Sequence, residues 1–139
     1  MTEINLTILG KPIPLSRTGH GQFGGKYFSA PTSRQIGLVV DAWERAGGIR
    51  FPDDSPLHLT CTFCYERPKS HFGTGRNAGK LKDSAPSFPI GPADVDNLVK
   101  LLMESLQGNA FRNDSRIVRV SASKVYRDRA WTDLTILHA

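Results

Sequence analysis

Apolar and polar residues alternate along four segments of the chain, which is the pattern of a half-buried β-strand. In residues 4–9, the apolar residues Ile4, Leu6 and Ile8 are each separated by one polar residue. β-Branched and apolar residues in alternation predict further strands at residues 57–65, 115–127 and 131–138.

Two other segments place apolar residues at the spacing of a helix face. The first begins near Pro31 and ends before the glycines at positions 47 and 48. The second runs from about Val95 to Leu106 and ends at Gly108. The pattern therefore predicts a single compact α/β (α+β) domain over residues 1–139, with a mixed sheet of about four strands and two main helices.

Two polar segments are predicted as loops, residues 15–30 and a polar basic insert at about 66–90. The insert is longer than most loops of compact domains, so we expect it to be either functional or disordered. Basic side chains on such loops can lie along a phosphate backbone, although the glycine-rich first loop equally suits a solvated surface. The predicted DNA contacts in these segments, and just before the first of them, are Lys11, Arg17, Lys26, Arg67, Lys69 and Arg76.

The charge balance narrows the class of partner. Eighteen basic against thirteen acidic residues give a net charge of +5, which favours a polyanion such as nucleic acid. The alternative is a basic protein with no such partner. Cys61 and Cys64 lie three apart on a predicted strand and face opposite sides, so we expect free thiols. With no signal peptide or membrane span in the sequence, we expect a reduced, cytoplasmic protein without a membrane partner.

Candidate chemistry is concentrated where the second predicted helix begins. Asp94 and Asp96 are two residues apart, and Lys100 lies one helical turn after Asp96 on the same face. Carboxylates are hard oxygen ligands suited to Mg²⁺, and an ammonium group can steady a phosphate oxygen. Asp94 equally suits a helix N-cap, and Asp96 with Lys100 equally suits a surface ion pair.

A third acid, Asp114, follows this helix in a turn before the next predicted strand. If helix and strand pack antiparallel, Asp114 lies at the opposite end of the helix from Asp94. The pattern alone therefore leaves open whether Asp114 joins the other two acids.

Two sequence runs together resemble the RusA family of Holliday junction resolvases, known from bacteria and prophages. They are Asp94-Val95-Asp96-Asn97-Leu98-Val99-Lys100 and Phe111-Arg112-Asn113-Asp114-Ser115-Arg116-Ile117. The similarity extends to the first strand, to the loop at residues 11–17 and to Lys124, a further candidate for phosphate contact. Asn113 stands where the family commonly has an aspartate.

The resemblance implies a RusA-like fold and a metal-dependent endodeoxyribonuclease. In that family's pattern, Asp94, Asp96 and Asp114 correspond to Mg²⁺ ligands, with Mn²⁺ as a substitute, and Lys100 to a lysine needed for cleavage. The family further implies a homodimer that resolves four-way DNA junctions by paired symmetric cuts in recombination and repair. Two alternatives stand beside this: a junction-binding DNA module without catalysis, and a metal phosphohydrolase acting on nucleotides.

Overall fold

The computed structural model describes residues 2–20 and 26–139, with side chains described except at positions 18–20, 26 and 27. Within these residues the helices are α1 (Ala30–Arg45) and α2 (Val95–Leu106). The strands are β1 (Glu3–Leu9), β2 (Arg17–His20), β3 (Lys26–Phe28), β4 (Leu57–Glu66), β5 (Ile117–Arg127) and β6 (Trp131–His138).

Four of the described strands form a mixed sheet in the order β1-β6-β4-β5. β6 pairs antiparallel with both β1 and β4, whereas β4 and β5 are parallel. Parallel neighbours require a crossover, and α2 lies in the connection between them. The mixed four-stranded sheet with two helices confirms the predicted fold class.

The core lies between the helices and one face of the sheet. Alternate residues of β1 are buried, as the alternation predicted, and the apolar stripe of α2 is buried in the same core. Burial of each such aliphatic side chain contributes about 1.5–3 kcal/mol relative to exposure. The most deeply buried large side chains are Phe51, Phe63, Phe111, Leu57, Leu59, Leu98, Leu101, Leu106, Leu134 and Ile136.

Helix α1 begins one residue earlier than the pattern predicted. The side chain of Ser29 accepts a hydrogen bond from the backbone N–H of Thr32, so Ser29 is the N-cap and Pro31 lies in the first turn. The hydroxyl of Thr32 in turn donates to the carbonyl of Pro14, which ties the chain before β2 to this helix.

Both predicted loops contain more regular structure than the sequence pattern indicated. Residues 15–30 include the antiparallel pair β2 and β3. The insert folds into two short 3₁₀ turns, Lys69–His71 and Gly75–Asn77, with a bridge between Phe72 and Leu81. Glycine and charged residues dominate both segments, and these give no periodic signal of strand or turn.

The cysteines behave as expected. Cys61 and Cys64 are free thiols, and both are buried. Burial raises the pKa of the Cys61 thiol to about 12. Neither helix in the described part of the chain is long and apolar enough to cross a membrane.

Candidate active site

Asp94 occupies the N-cap position of α2, but its side chain does not cap the helix. Its backbone carbonyl accepts hydrogen bonds from the N–H groups of Asn97 and Leu98, at 3.1 and 3.2 Å. Its exposed carboxylate makes no capping hydrogen bond. Since the backbone already starts the helix, this carboxylate can bind something other than the helix terminus.

Asp96 lies in the first turn of α2, and its carboxylate is 3.8 Å from the ammonium group of Lys100. The two side chains share one helix face, as the spacing predicted. Both are exposed, so the ion pair contributes only about 0.3–0.5 kcal/mol. A stronger ligand can therefore displace either partner at little cost to the fold.

A cavity of about 760 Å³ lies beside α2 and β5. Its charged lining consists of Arg17, Asp96, Lys100, Glu104 and Asp114. Its apolar lining consists of Leu15, Val95, Val99, Met103, Val120 and Ala122. Three of the four predicted catalytic residues thus share one cavity, and Asp94 is two residues from Asp96 but does not line it.

Asp114 is positioned by the C-terminal end of α2. Its backbone N–H donates to the side-chain oxygen of Gln107, the C-cap residue, at 3.0 Å. The side-chain oxygen of Asn113 accepts from the N–H of Ser115 at 2.9 Å and so caps the 3₁₀ turn Asp114–Arg116. Asn113 therefore has a local structural role, and this turn sets the direction of Asp114.

The acids are spread along α2 in this chain. From Asp96 to Gln107 the helix rises about 16 Å, so Asp94 and Asp114 lie near opposite ends of it. Among the side chains that the structure describes, no three His, Cys, Asp or Glu are close enough together to hold a metal ion. α2 and β5 therefore pack antiparallel, which is the arrangement considered from the sequence.

Two cations predicted to contact DNA hydrogen-bond to the protein backbone in this structure. The ammonium group of Lys124 donates to the carbonyls of Ala93 and Pro92, at 2.9 and 3.5 Å. The guanidinium of Arg67 donates to the carbonyl of Pro86 at 2.8 Å. Both side chains are partly buried, so they fix the approach to Asp94.

The other predicted DNA contacts are distributed around the site. Lys11, Lys69 and Arg76 are exposed. Arg17 lines the cavity, with its guanidinium 5.2 Å from the ring centroid of Phe28. The backbone of Lys26 belongs to β3, whereas its side chain lies outside the described part of the chain.

Tyr126 is a structural residue that the sequence analysis missed. The guanidinium of Arg67 stacks 4.5 Å from its ring centroid, and the ring of His71 meets it edge-on at 5.2 Å. Arg67 also lies 3.2 Å from a ring nitrogen of His71. The start of the insert is therefore packed onto β5. The only indication of this contact in the sequence is that a tyrosine lies among basic residues.

Comparison with known proteins agrees with the site. The family model described as Endodeoxyribonuclease RusA matches residues 10–137, nearly the whole chain. No curated protein matches the chain significantly. A family match of this extent implies the nuclease activity of a Holliday junction resolvase. The chain therefore belongs to the RusA family of endodeoxyribonucleases.

Proposed function

We propose that this protein is a Mg²⁺-dependent endonuclease that resolves four-way DNA junctions by paired symmetric cuts in recombination and repair. The observation that carries the proposal is the shared cavity of Asp96, Lys100 and Asp114 in a chain of the RusA family. A cavity with both carboxylates and cations on its wall suits a substrate phosphate and a cation together.

The acids have the chemistry of Mg²⁺ ligands. The carboxylate of Asp94 makes no capping hydrogen bond, and that of Asp96 has only a loose contact with Lys100. In our proposal Asp94, Asp96 and Asp114 hold the ion, with Mn²⁺ as a substitute, and a DNA phosphate supplies a further oxygen. When bound, the ion would acidify a water molecule and offset negative charge on the phosphate.

Lys100 and Arg17 act on the phosphate itself in this proposal. Both line the cavity, and the guanidinium of Arg17 can bind two phosphate oxygens at once. Lys100 lies one turn from Asp96, so it reaches the same phosphate that the acids approach. We assign it the role of stabilising charge on the phosphate or the leaving oxygen during cleavage.

DNA affinity in this account comes mainly from the phosphate backbone. Lys11, Lys69 and Arg76 are exposed, and the net charge of +5 supports attraction to a polyanion. We include Lys26 in this set from its place in the sequence. For such binding, the logarithm of the binding constant falls linearly with the logarithm of the salt concentration. The binding does not depend on base sequence.

We further propose that two copies act together as a homodimer. Paired cuts in a symmetric junction require two sites related by a two-fold axis. β5 is an edge strand of the four-stranded sheet, and the exposed Val118 lies on it beside Val120, which lines the cavity. An exposed apolar edge strand readily pairs with another chain, which supports β5 as the contact between copies.

A cleavage assay tests the proposal. The full chain is incubated with a synthetic four-way junction, a linear duplex and free nucleotides, each with and without Mg²⁺. We expect paired nicks confined to the junction and only with Mg²⁺. Tight junction binding without cutting would instead support a DNA-binding module, and nucleotide turnover would support a phosphohydrolase.

A further inference from the structure

A short proline-containing segment, residues 86–93, presents two large apolar side chains to solvent directly before Asp94. Phe88 is 60% exposed and Ile90 is 86% exposed, whereas Pro89 between them is buried. Exposed and buried side chains thus alternate over residues 88–90. We call Phe88 and Ile90 the apolar tip.

Both ends of this segment are fixed to β5. Arg67, stacked on Tyr126, binds the carbonyl of Pro86 at 2.8 Å. Lys124, two residues before Tyr126, binds the carbonyl of Ala93 at 2.9 Å. One anchor, Lys124, is a residue of β5, and the other, Arg67, packs on the same short stretch of that strand.

The segment is also stiff in itself. Prolines at positions 86, 89 and 92 restrict the backbone angle φ at every third residue. A segment held at both ends and restricted between them loses little conformational entropy when it binds. The apolar tip is therefore preorganised for contact rather than left exposed by a loose loop.

The surroundings of the apolar tip indicate which partner it contacts. The insert that leads into it carries Lys69, Arg76, Lys80 and Lys82, all exposed. Cations on the same insert as an exposed apolar surface suit single-stranded nucleic acid, where phosphates and the faces of bases occur together. The segment also ends at Asp94, so whatever binds the apolar tip lies next to the proposed ion.

We propose that Phe88 and Ile90 insert against unstacked bases at the branch point of a four-way junction, beside the phosphate to be cut. This inference rests on the proposed junction endonuclease. Apolar wedges of this type, most often Phe, Leu, Ile, Met or Pro, separate base steps in proteins that bend DNA. Base stacking is interrupted at a branch point, so insertion of a side chain costs less there than in a linear duplex.

The test uses 2-aminopurine, a base analogue whose fluorescence rises on unstacking, placed at the branch point of a four-way junction. The full-length chain is added without Mg²⁺, so that the DNA stays uncut. We expect a rise in fluorescence with the unmodified protein. Phe88→Ala and Ile90→Ala, combined, should remove most of that rise and weaken junction binding about tenfold. Binding to linear duplex should not change.

Leu9→Ala is the matched control, because Leu9 is 69% exposed at the end of β1, on the opposite edge of the sheet. We expect it to behave like the unmodified protein. Phe88→Trp should restore the fluorescence rise, because an indole ring also stacks on bases. Thermal unfolding of each variant verifies that the fold is retained.

Two outcomes would overturn the inference. One is a fluorescence rise that persists in the combined variant. The other is a dimer that dissociates in that variant during sedimentation, which would make the apolar tip an interface between copies. Cutting of the same junction by the unmodified protein, measured in parallel, separates these failures from failure of the proposed function, which would show as no junction cutting with Mg²⁺.

Discussion

The two ends of α2 carry acids of the same kind in very different settings. At the N-terminal end, Asp94 and Asp96 follow a segment that Lys124 holds by its backbone carbonyls. At the C-terminal end, Asp114 sits in a 3₁₀ turn set by Asn113 and Gln107. One end is fixed through contacts with β5, and the other through neighbours in sequence and a hydrogen bond from Arg116 to the backbone carbonyl of Asp53.

This difference shows how one helix can serve a site at both ends. α2 is rigid and buried along one stripe, so its exposed face forms a wall of the cavity that Asp96, Lys100 and Asp114 share. Because these acids are separated along the helix axis, a bound ligand would have to bring them together. Direct bonds from both acids to one small ion require the turn that carries Asp114 to move towards Asp96, and in this account it does so only when DNA is bound.

Neutralising one acid at each end of α2 tests whether both ends contribute to cleavage. We expect Asp96→Asn and Asp114→Asn each to slow junction cutting on the order of 100- to 1000-fold, the cost of losing one group that stabilises developing charge. Equal losses are expected because both acids act on one ion. Single-turnover cleavage with Mg²⁺ measures this.

The control for that pair is Asp41→Asn, which removes an exposed carboxylate from α1. Its cutting rate should match that of the unmodified protein. Junction binding without Mg²⁺ should survive in all three variants. An Asp114→Asn enzyme that cuts normally would confine the site to the N-terminal end of α2.

Lys100→Met should slow cutting by about 100-fold, because it removes a cation beside the phosphate. Its ion pair with Asp96 is exposed, so the free energy of unfolding should change by no more than about 0.5 kcal/mol. Cleavage kinetics and urea unfolding, measured on one preparation, separate these effects. A variant that cuts normally would leave Lys100 as a surface ion-pair residue only.

The sequence predicted that Asp96 and Lys100 share a helix face, whereas it gave no sign of the backbone contacts of Arg67 and Lys124. Asp96 and Lys100 are four residues apart on one helix, so helical periodicity alone determines that they share a face. The fold class followed in the same way from periods of two and 3.6. The β2–β3 pair in residues 17–28 was missed, because Gly, Ser and Arg there give no such period.

The position of Asp114 and the contacts of Arg67 and Lys124 depend on how distant segments pack in the tertiary structure. Whether Asp114 meets Asp96 is decided by how α2 packs on β5, which spacing along the chain does not encode. Arg67 was predicted as a DNA contact from its charge in the basic insert, and Lys124 from the resemblance to the RusA family. Their binding to the carbonyls of Pro86 and Ala93 appears only once β5 is placed beside the insert.

Lys124→Met should act on stability first. Loss of its charged hydrogen bond to the carbonyl of Ala93 should lower the free energy of unfolding by about 1–2 kcal/mol. Lys69→Met, at an exposed position of the insert, should leave it unchanged. Urea unfolding at neutral pH measures both. Equal stability of the two variants would show that Lys124 does not hold this segment.

A further effect, away from the candidate site, is expected in alkaline solution. Burial raises the pKa of the Cys61 thiol from 9.0 to about 12, so the folded state holds its proton more tightly than the unfolded state. This contribution to stability is complete below pH 9 and is lost as the pH rises towards 12. We expect unfolding midpoints in urea to fall above pH 9, and to fall less steeply in Cys61→Ala. An identical slope in that variant would contradict this assignment.

A crystal structure of the full chain with an uncut four-way junction and Mn²⁺ tests the central claim most directly. Anomalous scattering locates the ion without reference to the protein. The account predicts an ion with carboxylate oxygens of both Asp96 and Asp114 in its coordination shell, at the roughly 2.1 Å typical of a small hard cation. Ions bound only at the N-terminal end of α2, with Asp114 of neither copy in reach, would contradict it.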